Sequence, residues 1–598
     1  MIKRIKPIAL WLGALLVVAS ALRYYEADVL WKVQQHNVFL DSALFFRQMM
    51  AVPGGLLSYV AAYFTQHFYY PWVGVVLMCG WWLLLMWLTQ RTFRIPEKWK
   101  VVTLIPVAIL LVINMDLGYW IYVIKLPGFF FIPTIGVTAV TALLWAYRCL
   151  PEQWWLRGTF MVTVTLVGYP LLGVYALAAV LLMGLLTWRR WLLAVVSLLT
   201  VDVIPLLCYR LVYHATNLMD IWRAVVPFFS VTEKYPEYYI PYYVLAVCFL
   251  LLTVTYGREW KAPKTAVGYW LLNAVCGLLV VGGVWQFWYK DANFHHELRM
   301  QRCVEQADWE GVVEEGTKQD GEPTRAIVMM HNLALSRLGR QCDEMYRFPK
   351  GSSKPQTPLP IYMYNVAGRM MLYQYGMMNE CHRVCMEEGV EYGWNVEQLK
   401  YLARCAIFNK ERQAARKFLD ILRQTAYYGQ WADHMEQLLN DTQLLANDSE
   451  TGPITHMMHH TDLLDSVDGY VEKSVMTALA QTDADDLYFQ EQAVLGALWT
   501  RDPNLFWPRF NRYVQLNEDG DWPRIFQEAA WLFANMEGMQ GLDEWVLAPG
   551  VKESLQGFMS LMSQYRKAPS NALRQSLYDH YGTTYYFEFF FLRDITYY

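Results

Sequence analysis

Four acidic residues in the N-terminal half of the chain lie close to the ends of apolar runs. Glu26 and Asp28 follow the first run, Asp41 precedes a short amphipathic segment, and Asp116 follows the third run. If these runs cross a membrane, all four carboxylates lie at the same face of it, where they could exchange protons with a substrate. They are the first candidates for chemistry.

A fifth acid, Asp202, interrupts the apolar sequence TVDVIPLL near the middle of a run. Ionisable groups inside a membrane are costly and usually functional, and Pro205 just after it would loosen the helix and free a backbone carbonyl. A protonated Asp202 that bonds to a neighbouring helix explains the residue equally well. Both interpretations stay open.

The histidines of THMMHH are the strongest metal-like pattern in the sequence. His456, His459 and His460 have helical spacing beside Met457 and Met458, so two imidazoles could face a soft metal. No cysteine or carboxylate joins them at close spacing, and no nucleotide-binding, protease or hydrolase motif occurs elsewhere. We therefore predict no metal site and no cofactor; a divalent metal is possible but unsupported.

The elements that must position these residues are nine apolar runs, several of them close to the roughly 20 residues that cross a bilayer. Lys and Arg concentrate in alternate short loops, as in cytoplasmic loops, provided that the 159–187 region around Gly168-Tyr169-Pro170 crosses twice rather than as one kinked span. We expect about nine spans with the N-terminus inside. The runs are 8–22, 71–89, 101–114, 129–146, 159–168, 172–187, 191–208, 240–256 and 266–288.

The charge balance divides the chain into two domains. Residues 1–288 carry 21 Lys and Arg against 11 Asp and Glu, whereas residues 289–598 carry 29 against 43. Because the basic residues of the first half lie in short loops and form no cluster, the pattern indicates membrane topology and excludes nucleic acid as a partner. We predict a transmembrane domain over 1–288 and a water-facing domain over 289–598 on the outer side.

The outer segment 23–70 is too polar to span and contains two amphipathic stripes. The first includes Phe45 and Phe46, Pro53-Gly54-Gly55 interrupts it, and a second begins at Leu56. Two helices lying flat on the membrane face are expected here. MIKRIKP, the first apolar run and Ala19-Ser20-Ala21 also form a passable signal peptide, although we favour an uncleaved first helix.

The second domain shows helix pairs with small residues at a regular spacing. Ala334, Ala367 and Ala403 recur at intervals near the roughly 34 residues of a tetratricopeptide hairpin, and Ala493 and Ala529 repeat the spacing later. This part resembles the tetratricopeptide family over about 305–425 and less clearly over 485–565. The resemblance implies an all-α fold, a membrane helix bundle followed by an α-solenoid whose concave face takes a protein partner.

Two smaller features leave alternatives open. Five of the ten cysteines lie neither in nor beside the apolar runs; of these, Cys381 and Cys385, one helical turn apart, could bridge only with strain. The closing aromatic run TTYYFEFFFLRDITYY is too short to cross a membrane, so we expect it to pack against the helical domain or the bilayer face.

The layout of the first half resembles membrane glycosyltransferases of the GT-C type, which use lipid-linked donors. The shared features are a positively flanked first span, a long first outer loop with an acid and interfacial helices, and many further spans. This resemblance implies that Asp41, or else Glu26 or Asp28, acts as base, with Asp116 a possible second acid. It also implies a polyprenyl-phosphate sugar as substrate, its phosphate held by basic residues, for which the candidates are Arg47, Lys125, Arg210 and His214.

Two other functions stay open beside the transferase. The chain also departs from several GT-C branches by lacking their paired acids, and Asp41-Ser42 fits a plain helix N-cap. A membrane-anchored scaffold that holds a protein partner is the main alternative, and a transporter using Asp202 is the second. The whole chain also resembles bacterial inner-membrane proteins with periplasmic helical repeats, which implies a multi-pass inner-membrane protein with a periplasmic C-terminal domain.

Overall fold

The computed structural model describes the whole chain except residues 1, 215, 232, 258–264, 460–469, 518–519, 521, 542–546, 565–569 and 592–598. Within the described residues every regular element is a helix, as predicted. The chain forms two compact units. The first comprises Met1–Lys290, Glu388–Glu397 and Asp420–Gln430, and the second comprises Asp291–Glu387, Gln398–Leu419 and Trp431–Tyr598.

Each of the nine predicted apolar runs lies on a helix of the first unit. Among the described residues, five helical stretches are long and apolar enough to cross a membrane alone, and up to seven if two bent pairs each count as one span. The protein is therefore a helical protein with several apolar helices suited to a membrane. The helices are Ile2–Tyr25, Pro71–Phe93, Leu104–Met115, Ile132–Cys149, Trp154–Leu172, Val174–Leu186, Trp191–Leu211, Ile240–Val254 and Ala266–Phe287.

The 159–187 region forms two helices that are separated at Gly173, whereas Gly168-Tyr169-Pro170, the predicted position of the break, lies inside the helix Trp154–Leu172. Whether the region crosses a membrane twice stays a prediction. Gly173 has a φ of +60° and separates the flanking helices, which pack against each other. The carbonyl of Pro170 accepts a hydrogen bond from Gly54 N at 2.9 Å. A Cβ atom on Gly173 would lie 2.6 Å from Val225 Cγ2, so this close approach requires glycine.

The segment 23–70 contains both predicted amphipathic helices and one that was not predicted. Ala43–Met49 and Gly55–Thr65 are helical, and Phe39 and Phe45 pack in edge-to-face contact between them. The additional helix, Ala27–Gln35, bends by 74° from the first apolar helix, and all its residues after Ala27 are buried. Orientation on a membrane surface stays a prediction.

The second unit is built on helices of very unequal length, so a regular 34-residue repeat stays a prediction. Its predicted small residues are nevertheless buried, with Ala334, Ala403, Ala493 and Ala529 all at 0% exposure. The helices that begin after residue 290 are Ala292–Glu305, Trp309–Thr317, Arg325–Arg337, Gln341–Glu344, Arg369–Gln374, Met378–Tyr392, Val396–Phe408, Arg412–Arg423, Gly429–Asn440, Thr442–Asn447, Gly452–Thr455, Val471–Gln481, Leu487–Thr500, Pro503–Leu516, Arg524–Glu537, Val551–Gln564, Ser570–Tyr581 and Tyr585–Phe591.

The described part of the closing aromatic run forms the last helix and completes the core of the second unit. Tyr585, Tyr586, Phe587 and Phe589 are buried in one cluster with aromatic residues such as Phe506. This confirms that the run packs against the helical domain. Burial of aromatic side chains of this size is a major source of stability.

None of the ten cysteines, all of which the structure describes, forms a disulfide. Cys381 and Cys385 are buried and unbridged, and Cys381 Sγ donates to the carbonyl of Arg369 at 3.3 Å. Burial raises the pKa of the Cys381 thiol well above its ordinary value, which keeps it protonated and unreactive.

Candidate functional site

Asp116 has the most unusual environment among the four candidate acids. It ends the helix Leu104–Met115 and is half-buried, and its carboxylate forms no hydrogen bond or ion pair with any residue that the structure describes. Burial raises its pKa to about 6. A carboxyl group with a pKa in this range can exchange a proton at near-neutral pH, which an ordinary aspartate does poorly.

Asp116 is followed directly by a turn that packs against Tyr289. The backbone of Tyr289 donates to the carbonyl of Met115 at 3.1 Å, and its ring packs edge-on against Tyr119. Gly118 has a φ of +50°, and a Cβ atom there would lie 2.8 Å from the Tyr289 ring. Burial of the Asp116 carboxyl disfavours its ionised form.

Glu26 and Asp28 are already engaged. Each is only 4% exposed. Glu26 Oε1 accepts a hydrogen bond from Trp288 Nε1 at 2.5 Å, and Asp28 Oδ1 accepts one from the backbone of Val29 at 3.0 Å. A base must be reached by the hydroxyl that it deprotonates, so these two acids are better placed to hold the structure than to act on a substrate.

Asp41 lies on the surface before the helix Ala43–Met49. Ser42 caps that helix, with its hydroxyl oxygen accepting from the backbone N of Phe45 at 3.2 Å. The predicted capping role therefore belongs to Ser42, and the exposed Asp41 is left without it. Its proposed catalytic role stays a prediction.

The four predicted phosphate-binding residues differ in availability. Arg47, Arg210 and His214 are exposed, and none forms an ion pair within the described parts of the chain. Lys125 Nζ lies 3.9 Å from Glu391 and over the ring of Tyr392. The first three cations are therefore accessible to an anion, whereas Lys125 already faces an acid.

Asp202 lies in the middle of the helix Trp191–Leu211 and is exposed. Its neighbours on the same side, Leu198, Leu199 and Leu206, are exposed as well. The carboxylate bonds to no neighbouring helix among the described residues. A carboxylate on a lipid-facing side is costly unless a group from outside the chain reaches it.

We expect Asp202→Leu to leave the melting temperature of the detergent-purified protein unchanged or higher, because the carboxylate has no internal partner to lose. The free energy of inserting this helix into a membrane should become more favourable by about 2.5–3.5 kcal/mol at most. Differential scanning fluorimetry of the two proteins measures this, with Leu199→Ala as a control for helix packing. A clear fall in melting temperature for Asp202→Leu would show that the carboxylate has a bonding partner in the fold.

The sequence did not reveal a buried polar cluster in the first unit. Lys32 is fully buried, and its Nζ lies 2.8 and 2.9 Å from the two carboxylate oxygens of Glu397. His36 Nε2 lies 3.0 Å from the same carboxylate, and the ring of Tyr122 lies under the Lys32 ammonium. The available signal was the helical spacing of Lys32 and His36, which places two basic side chains on one face of a helix.

A second group of polar contacts extends this cluster. Tyr428 OH donates to Gln34 Oε1 at 2.8 Å, and Gln35 Nε2 donates to Tyr428 OH at 2.5 Å. The neighbouring Tyr427 stacks on Tyr69 at 4.8 Å between ring centroids. These bonds satisfy buried polar groups, so the arrangement is structural in kind.

The histidine pattern has an acid as its partner. His456 Nδ1 lies 2.7 Å from Asp486 Oδ2, and His459 Nε2 lies 3.8 Å from the same oxygen; His460 lies outside the described residues. Among the residues that the structure describes, no group of three or more His, Cys, Asp or Glu side chains is arranged to hold a metal ion.

Comparison with known proteins gives a family without an assigned activity. Residues 2–592 match the family of unknown function DUF6057. The chain belongs to this family. No curated protein and no solved structure matches the sequence.

Proposed function

We propose that this protein is a multi-pass enzyme of the bacterial inner membrane that transfers a sugar from a lipid-linked donor at the outer face, with Asp116 as the general base. The observation that carries the proposal is the half-buried Asp116, whose pKa is raised to about 6 by burial and which no described group engages. Among the four acids predicted from the sequence, it alone combines desolvation with a free carboxylate.

In the proposed reaction, the ionised Asp116 accepts the proton of an acceptor hydroxyl. The acceptor oxygen then bonds to the anomeric carbon of the sugar, and the bond from that carbon to the phosphate oxygen breaks. The electron pair leaves with the polyprenyl phosphate, whose added negative charge a basic side chain stabilises. Arg47, Arg210 and His214 are the accessible candidates for this role.

The topology forms part of the proposal. Nine crossings place the N-terminus in the cytoplasm, so that the segment 23–70 and the second unit lie in the periplasm. The basic loops at 90–100 and 188–191 then face the cytoplasm, in agreement with the positive-inside rule. A lipid-linked sugar keeps its tail in the bilayer, so its phosphate would be met at this outer surface.

The second candidate is a non-catalytic scaffold that binds a protein partner through its helical second unit. The specific observation in its favour is that Glu26 and Asp28 already accept hydrogen bonds, from Trp288 and from the backbone. If Asp116 has no role in transfer, the first unit serves as an anchor.

The two candidates differ in the lipids of cells that lack the protein. An absent transferase leaves its donor unused, so we expect lipid-linked sugar to accumulate and the matching surface glycan to be lost, measured by mass spectrometry of extracted lipids. Restoring the wild-type chain should reverse both changes, and the Asp41→Asn chain serves as a matched surface-acid control. Unchanged lipid-linked sugar would leave the scaffold as the better account.

A further inference from the structure

The second unit contains a cavity of about 310 Å³ that takes no part in the proposed transfer. One face of the helix Arg325–Arg337 forms a wall, through Val328, Met329 and Asn332, and the helices Val471–Gln481 and Leu487–Thr500 form others. Its size lies at the lower end of the roughly 300–1,000 Å³ typical of small-molecule sites. It is too small for a lipid-linked sugar chain or a protein segment.

The charges that line this cavity are unbalanced. Both acids of the lining are paired: Arg325 Nε donates to Glu472 at 3.0 Å, and Lys350 Nζ lies 2.6 Å from Glu588. The lining also contains Lys473 and Arg501. The lining therefore has four Lys and Arg side chains against two Glu side chains, and this net positive charge attracts an anion.

Two buried polar atoms in the lining have no partner. Tyr375 is 1% exposed, and its hydroxyl makes no hydrogen bond to any described group; the same holds for Asn332 Oδ1. A buried polar group without a partner costs about 1–3 kcal/mol. Groups of this kind in a cavity are accounted for when a ligand or water supplies the missing bonds.

Much of the rest of the lining consists of apolar side chains, several of which are flexible methionines. Met329, Met345 and Met476 surround the space together with the rings of Phe348 and Trp499. Methionine side chains adapt to irregular shapes and make favourable contacts with aromatic groups. A ligand here would therefore have an apolar or aromatic body beside its charged group.

From these features we infer that the cavity is a binding site for a small organic anion, with a phosphate or carboxylate head and an apolar body. Arg501 and Lys473 hold the head, the methionines and Trp499 contact the body, and Tyr375 bonds to a polar atom of the ligand. The inference is independent of the proposed transfer, because none of the candidate transfer residues lines this cavity.

The test uses the full-length protein in detergent and isothermal titration calorimetry with phenyl phosphate. Inorganic phosphate lacks the body and phenol lacks the charge, so both should bind at least tenfold more weakly; benzoate shows whether a carboxylate head serves equally. Arg501→Gln should weaken phenyl phosphate binding by about tenfold. Lys473→Gln, at an exposed position that folding does not require, should weaken it as well, and Arg412→Gln outside the cavity should not.

Tyr375→Phe separates binding from folding. Without ligand its melting temperature should equal or exceed that of the wild type, because an unpartnered buried hydroxyl is removed. With phenyl phosphate its affinity should fall by about two- to tenfold. The inference is overturned if phenyl phosphate binds no tighter than phenol and inorganic phosphate, or if its affinity is the same in the Arg501→Gln, Lys473→Gln and Arg412→Gln proteins.

Discussion

Asp116→Asn is expected to lower the rate of sugar transfer by about 10²–10⁴-fold, the usual contribution of a positioned general base. The amide has nearly the same shape as the carboxyl but cannot accept the proton. In the wild type, the rate should rise with pH through about 6, because the carboxyl must be ionised to act and burial raises its pKa to that value. A transfer assay with purified protein and lipid-linked donor, run over this pH range, measures both effects.

The effect of Asp116→Asn on the stability of the protein can be predicted separately from its effect on the transfer rate. Because the pKa of Asp116 is raised in the folded protein, the folded state holds the proton more tightly than the unfolded chain does. Its contribution to the free energy of unfolding is therefore most favourable below the ordinary aspartate pKa, and it is lost as pH rises through about 6. At pH 7 the Asp116→Asn protein should be no less stable than the wild type.

Two results would contradict the role of Asp116. One is a transfer rate that stays within a factor of two of the wild type in the Asp116→Asn protein. The other is an unchanged pH profile in that variant, which would assign the titration to a different group. Asp41→Asn, at an exposed acid near the same surface, is the matched variant that should leave the profile unaltered.

The second large effect is expected at Lys32. Lys32→Met leaves the buried Glu397 without its main cation, and removal of one partner of a buried ion pair typically costs about 3–5 kcal/mol. We therefore expect a large fall in the melting temperature and in the free energy of unfolding of the detergent-purified protein. Thermal and denaturant unfolding followed by circular dichroism measure these quantities.

The double variant Lys32→Met with Glu397→Gln distinguishes a lost ion pair from lost packing. Since no buried charge is then left without its partner, much of the stability should return. Lys98→Met, at an exposed lysine of the same unit, should change stability little. If the double variant is as unstable as Lys32→Met alone, the ion pair does not account for the effect.

Local patterns in the sequence were sufficient to predict the helices. The nine apolar runs and the two amphipathic helices after Asp41 were visible, because apolar periodicity and turn residues act over a few positions. A break in the 159–187 region was also visible, but the sequence placed it at Gly168-Tyr169-Pro170 and not at Gly173. The packing of the closing aromatic run was also predictable, since such a segment must be buried against something. The number of membrane crossings depends on the bilayer as well, and nine crossings stay a prediction.

The candidate site was predictable only as a set of four acids. Spacing placed Glu26, Asp28, Asp41 and Asp116 at the ends of apolar runs but ranked Asp41 first. The environments differ because Trp288 bonds to Glu26 and Tyr289 packs against Gly118 in the turn that follows Asp116, contacts across more than 150 positions in the chain.

The sequence by itself determined that this is a helical protein with several apolar helices suited to a membrane and a second, acidic helical part, because hydrophobicity and charge are properties of each segment alone. Only the tertiary structure decided that Asp116 is desolvated and bonds to no side chain that the structure describes, that Lys32 pairs with Glu397, and that Tyr375 and Arg501 line one cavity. Those outcomes depend on which distant groups remove water or supply bonds, since the dielectric surroundings of a side chain are set by its neighbours in space.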